Sequence, residues 1–306
     1  MIDPIILTIH LGGLTFSIHW YAVFIIGSII VAAWLTAREV ARRGGDAEDV
    51  WDGLTWATLG GIVGARVWYV VNDILGGGSR YLEEPLSMLY VFEGGLHFYG
   101  AMLFGAIAVY VFVRRRKLDM WLVLDSVAPT LLISQGLARP ANFINQELYG
   151  PPTDLPWGIR ITAANRIPPW NNIGLFPEDT TRFHPTFAYE MIWNIVTGGL
   201  LLWAARKYSK KLKPGAVFAA WLVLAGVGRV IIESFRPDQP VVPGTALSYT
   251  RIVSALMAVV GVLMLLVRYR VLKPSFLPAW AESYRVVAAA PEGPEPVGED
   301  LPPLGK

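Results

Sequence analysis

The strongest constraint on this chain is a series of long apolar stretches separated by short polar turns. A helix needs about 20 largely apolar residues to cross a bilayer. Candidate stretches fall at residues 21–35, 53–71, 95–113, 121–135, 185–204, 215–232 and 252–267. The second is rich in glycine and contains Arg66. Backbone groups in hydrocarbon must be satisfied within their own segment, which leaves helices as the simplest solution. An all-α polytopic membrane protein with about seven spans is therefore expected. Composition agrees, because only 16% of residues are charged, against about 25% in a soluble domain.

The basic residues set a direction. If the spans alternate, seventeen of the 26 Lys and Arg residues lie on one side, in "REVARRGG", "RRRK", "RKYSKKLK", "RYRVLK" and the tail. The positive-inside rule then places the N-terminus outside and the C-terminus in the cytoplasm. The inner set mixes lysine and arginine, as if only charge were asked of it. The other nine are all arginine, namely Arg66, Arg80, Arg139, Arg160, Arg166, Arg182, Arg229, Arg236 and Arg251. Arginine offers a fixed fork that holds carboxylate or phosphate through two hydrogen bonds.

The start, "MIDPIILTIHLGG", has no basic residues ahead of its apolar ones. It does not look like a cleavable signal peptide, and the N-terminus is expected to stay and lie at an interface. Residues 1–273 read as one membrane domain that includes an outer segment, 138–184. Residues 274–306 are rich in Pro, Gly and Glu and read as a disordered cytoplasmic tail. No internal repeat is evident, which speaks against an inverted-repeat transporter. The absence of cysteine excludes thiol nucleophiles, disulfides and Cys-ligated metals on this chain. His184 and Glu190 are not spaced as a zinc pair on a helix, so neither metal nor cofactor is expected. A net charge of +2 gives no reason to expect nucleic acid.

Three polar groups stand out near the arginine-only side. In "GRVIIESFRPD", Arg229, Glu233 and Arg236 fall within about 60° of one another on a helix. Gly226 continues that face, and Pro237 ends the helix. A structural ion pair accounts for Glu233 and one arginine as well as function does; the second arginine fits an anionic ligand better. In "LARPANFINQELYG", Arg139 precedes a proline and is biased away from helix. A helix through it would spread Arg139, Asn142, Asn145 and Glu147 over about 200°. The fourth span is therefore expected to end near Arg139, with an irregular segment walling a polar cavity. A helix cap followed by an ordinary polar loop is the alternative. In "FEGGLHFYGA", His97 and Tyr99 share a face only if the lead-in is extended. Smaller signals are "HWYA", with Tyr21 at an aromatic belt, and Gly60 and Gly64 as a small-residue pair. Arg66 and Asp73 share a helical face and are expected to pair, and "HPTFAYE" opens the fifth span.

Taken together, "RPANFINQELYG", "HWYA", "GAR", "DSVAP", "HPTFAYE" and "GRVIIESFRPD" resemble, in order, the motifs of the bacterial prolipoprotein diacylglyceryl transferases. The resemblance runs from about Pro4 to Val267. It implies an inner-membrane enzyme with its active site toward the outer leaflet. Such enzymes move the diacylglyceryl group of phosphatidylglycerol onto the lipobox cysteine of a prolipoprotein signal peptide. A thioether forms and glycerol phosphate leaves. The family's functional positions carry over to Tyr21, Arg139, Asn142, Glu147, Gly150, Arg229 and Glu233. Arg139, Arg229, Tyr99 and Glu233 are the catalytic candidates. Tyr21, His97, Asn142, Asn145, Glu147, Gly150 and Arg236 are the substrate-binding candidates. Three positions depart from the family pattern: Ala138 stands in place of glycine, Tyr99 where histidine is frequent, and Arg251 where glutamine is expected. The base stays open between Tyr99, His97 and none; a positioning role for Tyr99 with a structural His97 is the favoured reading. A lipid or anion transporter and a non-catalytic signal-peptide binder are the alternatives from other classes.

Overall fold

The computed structural model describes residues 2–12, 14–236, 239–274 and 280–285. A hairpin of β1 (Ile5–Leu11) and β2 (Leu14–His19) leads directly into α1 (Trp20–Arg42). Then follow α2 (Glu48–Leu75), the short α3 (Arg80–Glu83), α4 (Phe98–Arg115), α5 (Met120–Ala138), the short α6 (Pro140–Asn145), α7 (Thr186–Lys207), α8 (Ala216–Glu233) and α9 (Tyr249–Arg268). The seven long helices fall on the seven apolar stretches. Six of them, α1, α2, α4, α5, α8 and α9, are long and apolar enough to cross a membrane. Helix α7 is not among them; polar residues such as Thr186, Glu190 and Asn194 lower its hydropathy, and these three are buried.

Helix α5 is the hub, packing against α1, α7 and α8. Its partners meet at Ala128, Leu132, Leu201, Ala205 and Val217, which form the bundle core. Thr36 and Thr130 join α1 to α5 through a 2.8 Å hydroxyl contact. Helix α9 lies on α8, where Gly226 lets the backbone of α9 approach: a Cβ there would sit 2.5 Å from the Ser254 carbonyl oxygen. Gly226 thus serves a neighbouring backbone. Helices α2 and α4 form a separate pair, joined to the rest through α1. Gly60 and Gly64 make that pair possible, as the small-residue spacing predicts. A Cβ on Gly64 would fall 2.2 Å from Phe104 Cβ and 2.5 Å from the Gly100 carbonyl oxygen.

The hairpin is a departure from an all-helical expectation. Leu7, Ile9 and Ile18 lie exposed, while Thr8 meets Ser17 and His10 meets Thr15 across the strands. The alternating pattern around Gly12-Gly13 is a hairpin signal.

The end carrying the Lys and Arg clusters is tightly knit. Glu39 is fully buried, and its two carboxylate oxygens accept from Arg42, Arg43 and Arg206. Arg43 also donates to Ser126. These arginines are held by geometry, which corrects the reading that only charge is asked of them. Asp125 of "DSVAP" accepts from the Gly215 and Phe218 backbone N–H groups at 2.6 and 2.7 Å, capping α8 from α5. Of the expected disordered tail, residues 275–279 and 286–306 lie outside the described residues. Residues 280–285 differ from the expectation, because they pack on this end. Trp280 stacks on Trp121 at 5.0 Å, and Tyr284 donates to Asp125 at 2.7 Å. Glu282 lies 3.0 Å from both Lys213 and Arg270. The Lys213 ammonium holds the Glu282 carboxyl below the usual carboxylate range. Burial beside Asp125 pushes the Tyr284 phenol up.

The two kinds of glycine contact give a stability test. Gly64→Ala should cost about 1–3 kcal/mol, as overpacking does. Gly27→Ala, where a Cβ meets nothing within 4 Å, should be neutral or stabilise slightly. Thermal unfolding of the two purified variants checks this; equal melting points would mean that α2 and α4 are not packed through Gly64.

Candidate active site

The opposite end gathers the polar motifs. Arg139 keeps helical dihedrals, φ −64° and ψ −28°, despite the proline that follows. Pro140 sits at the first position of α6, where its missing N–H costs nothing. Helix α5 thus ends at Ala138, as expected, but a second short helix, α6, runs on to Asn145 and corrects the irregular segment expected there. The turn comes later, at Gln146 and Leu148, both with positive φ. This left-handed turn brings Glu147 back over α6. The side chains that should have diverged now meet: Arg139 donates to Asn142 at 3.2 Å, and Asn142 donates to Glu147 at 2.9 Å. Asn145 reaches the same Glu147 oxygen at 3.4 Å.

The row continues across helices. Arg139 donates to Glu190 of α7 at 2.5 Å. The other oxygen of Glu190 lies 3.5 Å from Arg229 of α8. Arg229 lies 3.3 Å from Glu233, one turn along. Glu233 accepts at 2.7 Å from Ser248, the N-cap of α9. One line of contacts thus ties α5, α6, α7, α8 and α9. The two arginines are used differently. Arg139 is hydrogen-bonded twice, whereas Arg229 has ion-pair contacts but no hydrogen bond among the described residues. Its side chain is 24% exposed. A guanidinium with unspent donors between two carboxylates is poised to take a planar anionic group.

Gly150 abuts this row. Its N–H donates to the His184 carbonyl at 2.8 Å, and a Cβ would fall 2.7 Å from Thr186 Oγ1 and 2.8 Å from the Phe235 carbonyl oxygen. Glycine here lets the outer segment close onto the ends of α7 and α8. That segment has its own core of Tyr149, Ile161, Trp170 and Phe183. The start of α7 is fixed by Tyr189, whose hydroxyl accepts from Trp157 at 2.8 Å and lies 3.0 Å from His184 Nδ1. Beyond Glu233 opens a cavity of about 190 Å³, bordered by Pro151, Arg236, Gln239 and Arg251. Arg236 is buried at its edge.

Of the residues expected from sequence, Arg139, Asn142, Asn145, Glu147, Arg229 and Glu233 form the row. Gly150 borders it and Arg236 lines the adjoining cavity. Tyr21, His97 and Tyr99 are joined to the row by no hydrogen bond, ion pair or ring contact among the described residues. Tyr21 lies exposed in the first turn of α1. His97 caps α4 in extended backbone, and its ring stands 5.6 Å from that of Tyr99, which is exposed. Arg66 does not pair with Asp73. It donates to the carbonyls of Ser87, Met88, Gly94 and Gly95, and so holds the lead-in to α4. Glu190 is the residue sequence reasoning missed. Its signal was a glutamate near the start of a long, mostly apolar stretch, within a motif already singled out.

Membrane-length helices and a row of paired arginines and carboxylates at one end define a polytopic membrane protein with a charged centre. The prolipoprotein diacylglyceryl transferase family model matches residues 5–267, and the chain belongs to that family. It is 36% identical over 299 residues to a phosphatidylglycerol–prolipoprotein diacylglyceryl transferase of Corynebacterium efficiens, covering 95% of this chain and 89% of the relative. It is 35% identical over 243 residues to the protein of that name from Chloroflexus aggregans, covering 77% and 78%. The protein of the same name from Leifsonia xyli is 39% identical over 235 residues, covering 75% and 68%.

Glu190→Gln tests the row. A neutral amide leaves two arginines facing each other without the charge between them. Transfer activity should fall about 100-fold, the scale of losing a preorganised electrostatic group. Asn145→Ala, which removes only a 3.4 Å contact, should cost under about tenfold. Similar losses from both, measured as kcat/KM, would mean that Glu190 has no special place.

Proposed function

We propose that this chain transfers the diacylglyceryl group of phosphatidylglycerol to the lipobox cysteine of prolipoprotein signal peptides, at the outer leaflet of the bacterial inner membrane. The observation that carries this is Arg229, held between Glu190 and Glu233 with its donors unspent, in a chain matched by the family over residues 5–267. The cysteine thiol gives its proton to water, its sulfur bonds to the glycerol C3 carbon, and the C3–O bond breaks. The electron pair stays on the departing phosphate. A free thiol has a pKa near 8.5, so a positive site also raises the thiolate fraction. Arg229 and Arg139 hold the phosphate as charge develops on it. Glu190 and Glu233 orient the two arginines. Asn142, Asn145 and Glu147 bind the head group, and Gly150 keeps the outer segment close. Arg236 holds the phosphate from the cavity side. Tyr99 and Tyr21 position the lipid at the membrane edge, and His97 supports Tyr99. Residues 1–273 form one transferase domain of seven spans with the N-terminus outside, and α7, packed on α5 and α8, completes the count.

Purified protein incubated with phosphatidylglycerol and a lipobox peptide should add one diacylglyceryl group to the cysteine, seen by mass. An unmodified peptide would overturn the reading. In the same assay Arg229→Lys should lose about 100-fold, since lysine keeps charge but not the fork. Arg236→Lys should lose less.

The native absence of cysteine makes orientation directly measurable. A single cysteine at Ser79 should react with an impermeant thiol reagent only from outside the cell. One at Ser209 should react only after the inner face is exposed. Labelling of both from one side would reverse or break the topology.

A further inference from the structure

The cavity beside Glu233 contains a cation that the row does not use. Arg251 stands in the first turn of α9 and donates to Ser234 at 3.0 Å. Its Nε is buried without a hydrogen-bond partner, and it has no carboxylate partner among the described residues. Arg251 and Arg236 both border the cavity, and Gln239 and Ser248 add neutral polar groups to its wall. At about 190 Å³ the space is smaller than the roughly 300–1,000 Å³ of drug-sized pockets. Its size and its two arginines suit a small anionic head group. Glu233 belongs to both the cavity and the row, so the two spaces are contiguous.

We propose that this cavity is a subsite for a small phosphate monoester, the glycerol phosphate released by transfer, and that Arg251 gives it selectivity for that product over the intact lipid. The proposal rests on the transfer reading above. Its logic is charge. The phosphodiester of the lipid carries one negative charge. When the C3–O bond breaks, the phosphate becomes a monoester carrying about −1.5 to −2 at neutral pH. The arginines of the row are already balanced by Glu190 and Glu233. Arg251 is the added cation, and it meets a charge that exists fully only after bond breaking. Part of that charge has already developed in the transition state, and only that part of the interaction raises turnover; the rest appears as affinity for the product.

The test uses the full-length purified protein with phosphatidylglycerol vesicles and a lipobox peptide, with sn-glycerol 1-phosphate added as inhibitor. Arg251→Gln should raise the inhibition constant for glycerol phosphate about tenfold, the scale of a lost charge-assisted hydrogen bond. Its KM for phosphatidylglycerol should move less than about threefold. Arg251→Lys should keep the inhibition constant within about threefold of the parent, since it keeps the charge. An unchanged constant in Arg251→Gln would overturn the proposal. So would a KM that rises in step with it, which would make the cavity a ground-state lipid site. Equal losses in Gln and Lys variants would assign Arg251 to fold through Ser234 and overturn it as well. Calorimetric titration of glycerol phosphate, with inorganic phosphate as a second probe, reads the subsite without turnover. Binding that weakens in Arg251→Gln while no peptide is modified would sink the transfer reading alone. Transfer without any such binding would sink the subsite alone.

Discussion

Glu190 is the contact on which the site end depends. One carboxylate stands between Arg139 of the α5–α6 junction and Arg229 of α8. Without it, two guanidinium groups would face each other in a poorly hydrated setting. Removing one partner of a buried charge pair costs about 3–5 kcal/mol, because the charge left behind is uncompensated. The same row therefore holds three helices together and sets the direction of both forks. Its continuation through Glu233 to Ser248 fixes the start of α9 as well. Assembly of the bundle and assembly of the site are one event at this end.

The basic end uses the same chemistry to a different result. Glu39 is fully buried, and both of its oxygens are engaged by arginine donors. Asp125 is likewise saturated, by two backbone N–H groups and Tyr284. Neither carboxylate keeps an oxygen without a donor. At the site end Arg229 keeps its donors, and Arg251 keeps a buried Nε without an acceptor. The nine arginines of the site half are also put to different uses. Arg66 spends its fork on four backbone carbonyls, and Arg166 donates to the carbonyls of Ile161 and Phe176. Arginine type alone therefore overstates how many of them bind an anion.

Much of this was legible in the chain. Hydropathy located all seven long helices, although it shortened several: 21–35 against Trp20–Arg42, and 53–71 against Glu48–Leu75. The missing turns are charged, and they extend a helix beyond its apolar part. The i, i+4 pair of Arg229 and Glu233 was legible because both partners lie on one helix. Glu190 was not placed, because its partners lie on two other helices and no spacing within the sequence joins them. The Arg139–Pro140 step misled for a local reason. The bias against helix before proline is a preference, and a proline at the first position of a new helix overrides it. The hairpin was visible in the alternation around Gly12-Gly13, but a helical expectation for the whole chain obscured it.

The loose attachment of α2 and α4 completes the physical picture. They pack on each other through Gly60 and Gly64 and reach the rest through α1. Arg66 pins the segment before α4 to this pair, so His97 and Tyr99 move with it. On the reading proposed above, a substrate with two acyl chains needs lateral access between helices, since its tails stay in the bilayer while its phosphate reaches Arg229. Tyr99, 59% exposed, and Tyr21, 44% exposed, have the amphipathic rings that settle at a membrane–water boundary. On the proposed reading they guide the head group toward the row, and the bond-breaking chemistry stays with the arginines.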